Sequence, residues 1–192
     1  MLKPALFLDR DGTLIKDKNY LKSPDQIEFI DSVIPALQRA MKWGWHLIVI
    51  SNQSGVARGY FDECDVRLVH IALQKMLEHK KIYLSGIYYC PHYLDGNPPY
   101  NIYCNCRKPE PGMLRTAAFE HNIDLDKSVV IGDKLSDVET AHRLKLPGIL
   151  VKSGYGVEEL KKADKTKPDY VAGNLLKAIQ WIEQRFDLSP QK

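Results

Sequence analysis

No apolar run in this chain of 192 residues approaches the ~20 residues that a membrane span requires. Nor do Met1-Leu2-Lys3-Pro4 leave room for a secretory signal before an apolar stretch begins at Ala5. A soluble, cytoplasmic protein with no membrane partner is expected. An excess of one charge is also missing: 27 basic residues against 24 acidic ones leave a formal +3, and the signs are interspersed. Nucleic acid is therefore not an expected partner. The densest basic stretch, Lys161, Lys162, Lys165 and Lys167, is interleaved with Glu158, Glu159 and Asp164 and reads as a solvated helix face and loop. Repeats, low-complexity segments and linkers are absent, so residues 1–187 are expected to form one domain, with 188–192 as a loose tail. No exposed apolar helix is evident, which makes a monomer the expectation. Cysteine is scarce: with four in a reducing compartment, thiolate metal ligands are a better use than structural disulfides.

What is present alternates. Apolar runs near 5–8, 46–51, 87–90, 128–132 and 148–151 read as strands, with helical spacing between most of them. Val33, Ile34, Leu37, Ala40 and Met41 follow a possible cap at Asp31 or Ser32, and Gly44 can end that helix. Leu68, Ile71, Ala72, Lys75, Met76 and Leu77 mark a mostly amphipathic helix between Asp62 and Lys81; others follow Pro111-Gly112 and Asp133, and Leu175–Phe186 closes the domain. The pattern predicts an α/β fold, a Rossmann-like parallel sheet flanked by helices with right-handed crossovers.

The first strand runs into Asp9-Arg10-Asp11-Gly12-Thr13. Two carboxylates two positions apart at the carboxyl end of a strand, with a glycine letting the chain bend away, can supply a nucleophile and a proton shuttle for phosphoryl transfer. An ordinary strand followed by a polar turn would also contain Asp and Gly. Further residues favour the chemical reading. Ile48-Val49-Ile50 ends in Ser51-Asn52, Arg107-Lys108-Pro109 places cations in a loop, and Val129-Val130-Ile131 ends in Gly132-Asp133, with Asp137 four residues on. This order of aspartate pair, hydroxyl, lysine and late acids resembles the haloacid dehalogenase superfamily of phosphohydrolases over nearly the whole chain.

One stretch departs from the alternation. Between Tyr89 and Lys108, a Cys90-x-His92 pair and a Cys104-x-Cys106 pair frame eleven residues rich in turn formers. Three thiolates and an imidazole suit tetrahedral Zn²⁺, and four protein ligands leave no position for a reacting water, so the zinc would be structural. Chance or redox disulfides are the alternatives, and two tight pairs around one loop count against chance. Cys64, among charged residues on a helix, reads as an ordinary cysteine.

The spacing of this loop, followed directly by Arg107-Lys108-Pro109, resembles the zinc-containing, histidinol-phosphatase-like branch of the superfamily, with a minimal cap. Two activities compete there: removal of the C7 phosphate of D-glycero-D-manno-heptose 1,7-bisphosphate, on the way to nucleotide-activated heptose for lipopolysaccharide or other surface glycans, and hydrolysis of histidinol phosphate. Ser54-Gly55-Val56-Ala57-Arg58-Gly59, where the histidinol enzymes usually carry Asp-Gly, favours the heptose activity. The resemblance implies Asp9 as nucleophile and Asp11 as general acid and base, whose raised pKa would come from two like charges in one site. It implies Mg²⁺ on Asp9, Asp133 and the Asp11 carbonyl, and a grip on the phosphoryl group by Ser51, Arg107 and Lys108. Asp137 would support the metal or Lys108. Substrate contacts are implied at Arg10, Asp17, Lys18, Asn19, Tyr20, Asn52, Gln53, Ser54, Arg58 and Lys134, with Arg58 reaching the second phosphate. A reading from another class, a catalytically inactive zinc-stabilised binding module, is disfavoured by the intact set of acids and Lys108.

Overall fold

The computed structural model describes residues 2–188. Six strands, β1 (Ala5–Leu8), β2 (His46–Asn52), β3 (Gly86–Cys90), β4 (Val129–Gly132), β5 (Gly148–Val151) and β6 (Tyr170–Ala172), pair in parallel in the order β3-β2-β1-β4-β5-β6. From β1 the chain adds strands on one side as far as β3, then crosses to β4 and adds strands on the other. The reversal leaves a crevice at the carboxyl ends of β1 and β4, the position where open α/β sheets bind ligands.

Both faces of the sheet are covered, by α1 (Val33–Ala40), α2 (Ser54–Ala57), α3 (Glu63–Glu78), α4 (Gly112–His121), α5 (Leu135–His142), α6 (Gly156–Leu160) and α7 (Leu175–Phe186). Strand alternation sorts the two layers. Leu6, Leu8, Leu47 and Val49 pack toward α1, α3 and α7, while Ala5, Phe7, Ile48 and Ile50 pack toward α4 and α5. A strand buried on both sides carries no polar alternation, which is why Ala5-Leu6-Phe7-Leu8 is an unbroken apolar run.

Local chemistry sets several boundaries. The Asp62 carboxylate accepts from the backbone N–H of Cys64 (2.7 Å) and Asp65 (3.0 Å), and Asp65 accepts in return from Asp62 N–H, a reciprocal cap for α3. Gly44, at φ +69°, stops the turn after α1. Ser32 does occupy the N-cap of α1, but its hydroxyl makes no capping bond.

Differences from expectation fall at α3, at β6 and at Leu188. α3 turns Val66, Val69, His70, Leu73 and Leu77 inward and leaves Leu68 and Ile71 51% and 52% exposed. The helix carries apolar residues on two well-separated sides, and periodicity alone cannot choose between them. The premise that no apolar helix face is exposed therefore fails at α3. β6, only three residues long at the sheet edge, is too short to show a period. Leu188 packs against the core, with its N–H donating to the Glu183 carbonyl at 2.9 Å; residues 189–192 of the expected tail lie outside the described residues. Among the described residues no helix is long and apolar enough to cross a membrane.

Candidate active site

Asp9 prolongs β1 by one residue, its N–H donating to the Ile131 carbonyl of β4 at 2.9 Å. Asp133 follows β4 directly, so pairing of the two strands sets these buried carboxylates at the crevice. Lys108 enters the same space from the loop before α4. Its Nζ lies 2.5 Å from Asp9 Oδ1 and 2.5 Å from Asp137 Oδ1, and donates to the Ile50 carbonyl at 3.1 Å. The Lys108 backbone is locked separately: Asn52 accepts from its N–H at 3.0 Å and donates to its carbonyl at 3.1 Å.

One buried ammonium bridges two of three clustered buried acids, Asp9 and Asp137. Burial pushes the Asp9 carboxyl up to about 6, against the pull of Lys108 and with help from Asp137 and Asp11. Burial, then Asp9 and Asp137, lifts Asp133 to about 8. Burial disfavours the charge on Lys108, but Asp137 and Asp9 outweigh it and raise the pKa. The like-charge crowding is thus centred on Asp9, Asp133 and Asp137. Oxygens of these three acids lie within 4.8 Å of one another. Asp9 Oδ2 and Asp133 Oδ1 are buried without a hydrogen-bond partner. Hard oxygen donors with unmet acceptors suit a divalent cation such as Mg²⁺.

The remaining oxygen of Asp133 is tightly enclosed. Its Oδ2 accepts from the Tyr155 N–H at 2.8 Å, and a Cβ on either Gly12 or Gly154 would come within 2.1 Å of it. Both glycines have positive φ, +84° and +55°, so any other residue would be strained as well as obstructive.

Asp11 lines a cavity of about 410 Å³. Arg10 holds it in a fork, Nε to Oδ2 and Nη2 to Oδ1, each at 3.1 Å. Gln53 donates to Asp11 Oδ2 at 3.0 Å and to Ser51 Oγ at 2.6 Å, and Ser51 Oγ lies 3.5 Å from the same carboxylate oxygen. Asp17, Asn19, Tyr20, Asn52, Ser54 and Lys134 also line this cavity, together with Arg10, Asp11 and Gln53. Burial disfavours the charge on Lys134, but Asp9, Asp133 and Asp17 outweigh it and raise its pKa. Lys18 instead turns to Glu28, 2.7 Å away on the surface. Arg58 and Arg107 lie outside the cavity lining and both pack on the Tyr93 ring, 4.3 and 4.9 Å from its centre, with Arg107 also donating to the His92 carbonyl.

Sequence reasoning missed part of the wall. Tyr155, Glu159 and Lys162 complete the cavity from the side of α6. Glu159 accepts from the Leu135 N–H at 3.0 Å and from Lys162 at 2.9 Å. Lys162 belongs to the basic stretch read as solvated surface; its one signal was the acid three residues before it. His70, which meets Arg10, gave no signal beyond being polar within an apolar helix.

The loop set also converges. Cys90 Sγ lies 3.5 Å from Cys104 Sγ and 3.1 Å from Cys106 Sγ, and His92 Nδ1 lies 3.4 Å from Cys106 Sγ. All four cysteines are free thiols, with Cys64 exposed and apart. The hydrogen bond from Cys90 leads the effects that hold Cys106 down at about 5, so the cluster readily presents a thiolate. Sulfurs a little over 3 Å apart around one imidazole nitrogen form a donor set that a tetrahedral Zn²⁺ would fit. The loop is moored to the helices beside it: the Tyr89 and Tyr100 hydroxyls donate to Glu63 at 2.5 and 2.7 Å, and Asn97 N–H donates to the Ala57 carbonyl at 2.6 Å.

Known proteins resemble this chain over most of its length. Residues 105–178 match the family model described as "HAD-hyrolase-like". The D-glycero-β-D-manno-heptose-1,7-bisphosphate 7-phosphatase of Pasteurella multocida is 43% identical over 159 residues, covering 82% of this chain and 86% of the relative. The enzyme of that name from Photorhabdus laumondii is 41% identical over 184 residues, covering 94% and 97%. The crystal structure of D,D-heptose 1,7-bisphosphate phosphatase from B. bronchiseptica, complexed with magnesium and phosphate, superposes with a TM-score of 0.84 at 30% identity, covering 95% of this chain and 99% of that one. With its six-stranded parallel sheet, this chain is a phosphomonoester hydrolase of the HAD-like fold and belongs to the heptose 1,7-bisphosphate 7-phosphatase family.

Proposed function

We propose that this enzyme removes the C7 phosphate of D-glycero-D-manno-heptose 1,7-bisphosphate, leaving heptose 1-phosphate for nucleotide activation in lipopolysaccharide or other surface-glycan synthesis, with the β anomer preferred, as in the relatives' names. The observation that carries the reading is the buried trio Asp9, Asp133 and Asp137 around Lys108, with unmet carboxylate oxygens beside a polar cavity that Asp11 enters. In this reading the chain acts as one cytoplasmic unit, with Leu188 packed against its core.

Asp9 attacks phosphorus in line; the bond to the sugar oxygen breaks as an aspartyl-phosphate forms, and Asp11 gives its proton to the departing alkoxide. The same Asp11 then takes a proton from water, which attacks the aspartyl-phosphate, releasing phosphate and restoring Asp9. Mg²⁺, held by Asp9, Asp133 and the Asp11 carbonyl, would supply positive charge between the anionic nucleophile and the dianionic ester. Lys108 and Ser51 take the remaining phosphoryl oxygens, and Asp137 keeps Lys108 charged and aimed. Arg107 helps to orient the substrate. The wall formed by Asp17, Asn19, Tyr20, Gln53, Ser54 and Lys134 receives the sugar. Arg58, stacked on Tyr93 beside Arg107, takes the second phosphate if the substrate extends toward the loop. Zn²⁺ on Cys90, His92, Cys104 and Cys106 is structural and shapes that loop.

Comparing kcat/KM for both anomers of heptose 1,7-bisphosphate with that for histidinol phosphate, in Mg²⁺, tests the assignment. A large preference for a bisphosphate supports it; preference for histidinol phosphate moves the enzyme to another substrate with the same acid machinery. No turnover of any phosphomonoester would remove the mechanism altogether.

A further inference from the structure

Arg10 has the largest of the fully buried side chains in this protein. A guanidinium offers five N–H groups and no acceptor. Two edges are spent on the Asp11 carboxylate, and the third, Nη1, lies 3.1 Å from His70 Nε2. Since arginine can only donate, Nε2 must accept, which places the imidazole proton on Nδ1 and requires a neutral ring. Burial, followed by the Arg10 charge, pushes the His70 pKa down to about 3, in agreement. The ring is fixed from the other side by Tyr89, edge-on with centroids 5.4 Å apart, and the Tyr89 hydroxyl is tied to Glu63 at the start of α3. A neutral acceptor satisfies Nη1 without cancelling the arginine's charge. A carboxylate here would compete with Asp11 for the guanidinium.

We infer that His70 is a positioning residue for the leaving-group acid: it fixes the outer edge of Arg10, and Arg10 in turn fixes where the Asp11 carboxylate enters the cavity. The inference rests on the proposed role of Asp11 as proton donor to the sugar oxygen.

The test compares two leaving groups. An alkyl ester such as heptose 1,7-bisphosphate needs a proton from Asp11, whereas p-nitrophenolate departs without one. kcat/KM reports only the steps through formation of the aspartyl-phosphate, so the later role of Asp11 does not enter. His70→Leu, which removes the acceptor, is expected to lose about tenfold more kcat/KM on the bisphosphate than on p-nitrophenyl phosphate. His70→Gln, whose Oε1 reaches the place of Nε2, should restore the bisphosphate value to within about threefold of wild type. Equal losses on both substrates, or no rescue by Gln, overturn the inference. If the Leu variant does not fold, His70→Asn, too short to reach Nη1, takes its place against Gln. Asp11→Asn run alongside separates the two failures: a selective loss there with an unselective His70→Leu sinks only the positioning role, while an unselective Asp11→Asn sinks the acid role and this inference with it.

Discussion

Asp9 and Asp133 are neighbours because β1 pairs with β4, although they lie far apart in sequence, whereas Cys90 ends β3 and His92, Cys104 and Cys106 follow within the one loop after it. The walls of the first group are fully buried strands on both sides, and Lys108 partly offsets its charge without any ion. The second group sits in a loop that buries little of its own apolar surface: Leu94, Ile102 and Tyr103 are exposed, Tyr103 by 86%. A metal at the first group therefore has mainly charge to supply, and a metal at the second has mainly order to supply. The carboxylate site inherits its geometry from the sheet. Beyond its moorings to Glu63 and Ala57, the loop would take its order from an ion.

The strongest break in the first region is Asp9→Asn. Turnover should fall by at least about 10⁴-fold, measured as phosphate release, while the melting temperature holds or rises because a buried like charge is removed. Next in size is the loop. Cys106→Ser should make residues 91–103 sensitive to limited proteolysis and lower kcat/KM for the bisphosphate by about 10-fold or more, with p-nitrophenyl phosphate much less affected. That difference depends on Asn52, which holds Lys108 independently of the loop. Asn52→Ala should cost about tenfold in kcat on both substrates and about 1–3 kcal/mol in denaturant unfolding. It should also make the residual activity depend on zinc; activity insensitive to Asn52 would show that the loop, not the sheet, sets Lys108. The effect confined to the narrowest conditions is acid sensitivity. His70 titrates at about 3 when folded against an ordinary 6.5, so the stability it contributes is complete above pH 6.5 and is lost as pH falls toward 3. His70→Gln should flatten the fall in melting temperature over that interval, and an unchanged acid slope would place the effect elsewhere.

The same contrast explains what could be read from sequence. The Cys/His set is local, so its two tight pairs were visible in the sequence directly. Asp9 and Asp133 were legible for another reason: fully buried parallel strands leave unbroken apolar runs, and the acids stand just past their ends. The partners of Asn52, Arg58 and Arg107 were not legible. Asn52 spends its side chain on the Lys108 backbone, and the two arginines meet on Tyr93; both outcomes depend on tertiary approach. The inward face of α3 was hidden by its second apolar stripe, and with it went His70. Lys162 was read as surface because alternating charge on a short helix usually is.

The most direct measurement treats the purified protein briefly with EDTA, then follows elemental zinc per chain together with phosphate release as Mg²⁺ is added back. If charge is the need at the acids and order at the loop, turnover vanishes on chelation while one zinc per chain remains, and Mg²⁺ alone restores activity. Recovery with Zn²⁺ but not Mg²⁺, or full turnover from protein holding no zinc and given no Mg²⁺, would contradict that division of roles.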